Sequence, residues 1–102
     1  MLWDKVRKLI SDIPDNRIRF DAASTINFLF DVYASGGVDE DSLKNDLRDI
    51  CQTIISITNP LLSPDDVKDK VETLVNDLVN VMKIESLVRR TRARVSRIIR
   101  EF

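Results

Sequence analysis

The side chains that most often carry out chemistry in proteins are scarce in this sequence. It has no histidine and a single cysteine, Cys51, so Ser-His and Cys-His nucleophiles are excluded and the usual general base near neutral pH is missing. The sequence also has no glycine-rich phosphate loop and no zinc-ligand spacing. We therefore expect a protein that is not an enzyme, with no catalytic, cofactor-binding or metal-binding residues and no small-molecule substrate.

Cys51 lies on the apolar face of a helical pattern, which indicates a small buried side chain rather than a reactive thiol. A lone cysteine forms no internal disulfide, which is typical of a reducing compartment. We see no long apolar run at the N-terminus and no stretch of 18 uncharged apolar residues, so neither a signal peptide nor a membrane span is predicted. Together these features favour the cytoplasm.

Residues 31–42 resemble an EF-hand calcium loop, with matching spacing at Asp31, Ser35, Gly36, Val38 and Asp39. The resemblance covers only this segment and implies a calcium site. Tyr33 stands where the loop needs an oxygen ligand, and Ser42 replaces the bidentate glutamate. The alternative is a helix that ends at Gly36-Gly37 and another that starts on an Asp-rich cap, and this is the interpretation we favour.

The C-terminal segment, residues 83–102, is basic and amphipathic. Its seven lysines and arginines against two glutamates give +5, so the net charge of −1 leaves −6 on the other residues. At helical spacing one sector collects an apolar stripe, and the opposite side carries an arginine row of which one member, Arg92, borders the apolar sector. The stripe comprises Ile84, Leu87, Val88, Val95, Ile98, Ile99 and Phe102, and the row comprises Arg89, Arg90, Arg92, Arg94, Arg97 and Arg100.

Three interpretations of this segment remain open. In the first, the stripe packs on the acidic body or on another copy, and the arginines are solvated or paired with residues such as Asp65, Asp69 and Glu72. In the second, the arginine row binds the phosphates of DNA or RNA, although a sequence pI of about 5.4 is low for such proteins. In the third, which we favour least, the helix lies on a membrane surface.

The rest of the chain has the periodicity of helices, with few turn residues. Patterns and breakers predict helices over residues 2–13, 17–34, from about 39–42 to 58, and from 64 onward. Residues 53–58 are rich in β-branched side chains, but a lone strand would have no partner, so we prefer helix. Residues 17–34 hold four of the six aromatic residues, which predicts the most buried helix.

From Pro64 to Phe102 there is neither glycine nor proline, yet one helix of that length would exceed a compact domain of this size. The apolar register also shifts by an extra step of three between Val81 and Ile84, which predicts a bend or short break near residues 82–85. If the helix is continuous instead, its apolar face must rotate there.

These features predict an all-α, single-domain bundle of four to five helices, with an acidic helical body (residues 1–82) and a basic C-terminal helix (83–102). We expect a non-catalytic interaction module or small adaptor subunit that uses the C-terminal helix for self-association, as a homodimer, or for binding a protein partner. The alternative is a small DNA- or RNA-binding regulator that presents its arginine row to phosphates.

Overall fold

The computed structural model describes residues 2–101, and of Glu101 the backbone only. Four helices follow one another in this range: α1 (Leu2–Ile10), α2 (Asn16–Ala34), α3 (Glu40–Thr58) and α4 (Pro64–Glu101). No strand occurs among these residues. The predicted all-α small bundle is confirmed, and the β-branched run at 53–58 belongs to α3.

Each of the three longer helices begins at a side chain that accepts backbone N–H groups left free by the first turn. Asp15 accepts hydrogen bonds from the amides of Arg17 and Ile18 at 2.8 and 3.2 Å. Asp39 accepts the amide of Ser42 at 2.8 Å, and Ser63 accepts that of Asp66 at 3.2 Å.

The connection between α2 and α3 is the tight turn expected from two glycines. Gly36 has φ of +84°, the left-handed region that an L side chain adopts only with strain. The amide of Gly37 donates to the carbonyl of Val32 at 2.8 Å, and a Cβ at Gly37 would lie 2.9 Å from a Val32 methyl. A helix end followed by a capped helix, rather than an EF-hand loop, is the arrangement found here.

Polar contacts between helices show an up-down-up-down bundle. The amide of Leu2 donates to Glu85 at 2.9 Å, and Lys5 pairs with Asp77 at 2.6 Å, so α1 runs antiparallel to α4. Lys83 pairs with Glu40 at 2.7 Å at one end of α3, and Arg48 pairs with Glu72 further down, so α3 is also antiparallel to α4. Neighbouring helices are thus joined by short loops, as expected.

The core lies between all four helices, but α2 contributes less to it than its aromatics predict. Only one face of α2 is buried, through Ala22, Ala23, Ile26 and Phe30. Phe20 and Phe28 are 72% and 66% exposed on the outer side. The prediction that α2 is the most buried helix is wrong, because aromatic content measures available apolar area and not the direction in which each side chain points.

The predicted break near residues 82–85 is also wrong, since α4 continues through it without interruption. Its 38 residues span about 57 Å at 1.5 Å per residue and match the longest dimension of the molecule, 59 × 27 × 18 Å. Without glycine or proline, the backbone has no reason to leave the helix. The shift in register therefore appears as a rotation of the apolar face, and α4 extends past the bundle.

Candidate interaction surface on the C-terminal helix

The bundle holds α4 as far as Arg89. Met82 and Ser86 are 0% and 4% exposed, so contacts with the body extend past the boundary predicted at residue 82. The backbone amide of Leu2 donates to Glu85 and lowers the pKa of that carboxyl. The ion pair with Lys83 lowers the pKa of Glu40 and raises that of Lys83.

Among the described residues, Arg89 makes the last ion pair between α4 and the body. Its guanidinium is 3.1 Å from a carboxylate oxygen of Asp31 and lies over the Phe30 ring at 4.6 Å from the centroid. Beyond this residue no described side chain of α4 is bonded to another helix. We call residues 87–101 the tail, which is about 22 Å long.

The apolar stripe is exposed along the whole tail. Its described members are between 44% and 67% exposed: Ile84, Leu87, Val88, Val95, Ile98 and Ile99. Phe102, the last predicted member, lies outside the described residues. Within one copy the stripe therefore does not pack on the acidic body. Of the first interpretation, only packing of the stripe on another copy or on a partner is left.

The stripe faces away from the bundle. At about 100° per residue, the buried side chains of α4, such as Val75, Leu78 and Met82, centre roughly 150° from the stripe. The rotation of the apolar face thus gives α4 two distinct surfaces, one for its own core and one directed outward.

The arginine row is largely free of acidic partners within the described residues. Arg89 alone has an ion pair there; the other members, Arg90, Arg92, Arg94, Arg97 and Arg100, have none and are exposed. The candidate partner Glu72 is bound instead by Arg48, at 2.7 Å. Among the described side chains, the apolar stripe of the tail is therefore flanked by arginines that have no acidic partner.

Cys51 and the acidic residues of the 31–42 segment make contacts within the bundle. Cys51 is fully buried, and burial raises the pKa of its thiol to about 12, so it behaves as a core side chain. In the segment, Asp31 pairs with Arg89 and Asp39 caps α3. Among the described residues no cluster of His, Cys, Asp or Glu is arranged to hold a metal ion.

One feature of the surface was not predicted from the sequence: an open groove of about 550 Å³ beside the N-terminal half of α4. Leu9, Ile55 and Leu74 form its apolar part, and Asp69, Lys70, Thr73 and Asp77 its polar edge. The groove exists because α1 is only nine residues long and leaves the start of α4 uncovered. No sequence signal predicted it, because the first helix was expected to run to residue 13 whereas it ends at Ile10.

Comparisons with known proteins add no constraint. No protein-family model matches the chain, and no curated protein or solved structure matches it either. Among the described residues, no helix is both long enough and apolar enough to cross a membrane. The geometry of the tail is therefore the main indication of function.

Proposed function

We propose that this protein is a non-catalytic helical interaction module, a small adaptor subunit that associates with a second copy of itself through the tail. One observation carries the proposal: a continuous helix leaves the bundle with a stripe of aliphatic side chains about half exposed and directed outward. Contiguous exposed apolar surface on a folded protein marks an interaction site. The single buried cysteine is consistent with a cytoplasmic setting.

A second copy is the occupant favoured by charge. The C-terminal segment has +5 and the rest of the chain −6, so each copy offers a surface complementary to the tail of another. In a closed two-fold dimer, both tails bind at once, each to the other copy. Association costs each copy translational and rotational freedom, and this cost offsets several kcal/mol of the free energy gained by burying the stripe. We therefore expect a dimer that dissociates on dilution through the micromolar range.

The test is light scattering coupled to size exclusion over a dilution series. The wild-type chain should be a dimer at high concentration, and Leu87→Glu with Ile98→Glu, which places two charges in the stripe, should be monomeric. The matched control is Ala93→Glu with Ser96→Glu, which adds the same charge to the other side of the tail and should remain dimeric. A wild-type chain that is monomeric throughout, or a dimer that survives the stripe variant, contradicts the proposal.

A second candidate function follows from the arginine row. Its five members beyond Arg89 have no acidic partner among the described residues, so one copy leaves them available to phosphates. Binding of a labelled duplex and of a labelled single strand should be measured across a salt series. Arg90→Glu with Arg97→Glu should then lower the slope of log affinity against log salt by about two, and absence of binding at low salt removes this candidate.

A further inference from the structure

The charge along α4 is divided into two halves of opposite sign. Residues 64–82 carry five acidic side chains and two lysines, a net −3, whereas the C-terminal segment carries +5. Two tails paired in parallel would bring +5 beside +5. An antiparallel arrangement brings each basic half beside the acidic half of the other helix, which is the pairing that electrostatics favours.

The outward face of α4 supports the same arrangement. Because α4 is one uninterrupted helix, the stripe can be compared directly with residues in its first half. At about 100° per residue, Asp69, Lys70, Thr73 and Asp77 fall within roughly 60° of the centre of the stripe. These four residues are also the polar edge of the groove. The stripe and the polar edge of the groove therefore lie on the same side of α4.

A two-fold axis beside Ile84 joins these surfaces in both directions. It places Ile98 of one copy opposite Lys70 of the other, and Val95 opposite Thr73. The end of the stripe then covers the groove of the other copy, whose apolar part is formed by Leu9, Ile55 and Leu74. Near the axis the two Ile84 side chains, each 50% exposed, meet one another. The buried side chains of each α4 point about 150° away from the stripe, so most of each bundle lies away from the axis.

The groove also has charges suited to the flanks of the tail. Arg92 and Arg94 lie about 80° to either side of the stripe and arrive beside the acidic half of the opposing helix. Asp69 at the groove edge has no ion pair among the described residues, and Asp77 is paired with Lys5 at 2.6 Å. Lys70 is the opposing charge on this edge, and the long stem of a lysine allows its head to move aside.

We propose that two copies form an antiparallel dimer in which each tail lies over the groove between α1, α3 and α4 of the other copy. This inference depends on the proposed function, since it specifies where the self-associating tail binds. It predicts a two-fold interface in which every tail–groove contact occurs twice.

Cross-linking between single-cysteine positions tests the geometry. Lys70→Cys and Ile98→Cys chains are prepared separately, mixed, and treated with a short bismaleimide; the native Cys51 is buried and stays unmodified. We expect cross-linked dimer in the mixture and little with either variant alone. A second pair, Thr73→Cys with Val95→Cys, should behave in the same way and covers the case in which one substitution weakens the dimer.

The outcomes separate this inference from the proposed function. Efficient cross-linking of Ile98→Cys alone indicates parallel tails, and a dimer by light scattering with no cross-link in either mixture indicates another surface; both overturn the antiparallel docking while self-association stands. A wild-type chain that is monomeric at every concentration refutes the proposed function itself.

Charge reversal gives an independent readout on the unmodified fold. Arg92→Glu with Arg94→Glu, on the flanks of the stripe, should raise the dimer dissociation constant roughly tenfold at low salt. Arg90→Glu with Arg97→Glu changes net charge equally but lies on the side away from the groove, and should have a much smaller effect. Equal weakening by the two variants would show that only net charge matters and would overturn the docking geometry.

Discussion

The exposure of the tail can be tested by comparing two leucines on the same helix. Leu78 is completely buried in the bundle, whereas Leu87 is 62% exposed at the end of the part of α4 that the bundle holds. Leu78→Ala removes core methyl groups and leaves a cavity, which typically destabilises a domain by about 2 to 5 kcal/mol. Leu87→Ala in a monomer removes little buried surface, so a change within about 0.5 kcal/mol is expected.

Urea denaturation at two protein concentrations distinguishes these effects. A domain of this size has a total stability of about 5 to 15 kcal/mol and loses about 1 to 3 kcal/mol per molar urea. Leu78→Ala should therefore lower the midpoint by roughly 1 to 3 M at both concentrations. Leu87→Ala should match wild type at high dilution and fall below it only where wild type is dimeric, because dimer formation adds stability by mass action.

The comparison has a clear negative outcome. If Leu87→Ala lowers the midpoint at high dilution as much as Leu78→Ala does, the tail packs against its own bundle in solution. The stripe would then not face outward, and self-association through the tail would be refuted. Circular dichroism at the helix minimum before denaturation confirms that both variants retain the fold.

Three further predictions concern the bundle. The Cys51 thiol should react with maleimide only as fast as the protein unfolds, and rapid labelling of the native state would contradict its burial. The lowered pKa of Glu40 means that its pairing stabilises the fold above the unfolded value of 4.5 and is lost as pH falls through the lowered value. The stability gap between wild type and Lys83→Met, measured at neutral pH, should therefore close in acid, whereas a gap that persists would show that Lys83 acts through packing alone. Asp15→Ala should cost about 1 kcal/mol in thermal or urea unfolding through loss of the α2 cap, and an unchanged midpoint would show that water replaces the carboxylate.

The local signals in the sequence were sufficient for the helices themselves. Ser63-Pro64, Asp39 and the glycine pair placed helix ends within one or two residues of their observed positions, because capping and left-handed turns depend on a few adjacent residues. Helix 1 ends earlier than predicted, at Ile10, although Ile13 is still fully buried. The apolar periodicity correctly predicted that Ile13 faces the core, but it did not predict that the helix ends three residues earlier, at Ile10.

The amphipathic character of the C-terminal segment was likewise determined by sequence alone, since residue type and helical spacing fix which side chains share a face. Two facts were decided only by the tertiary structure: that Phe20 and Phe28 point outward, and that the stripe faces away from the bundle. Each depends on which face of a helix the other helices cover. That choice is made by packing between segments distant in the chain, and no single segment contains the information.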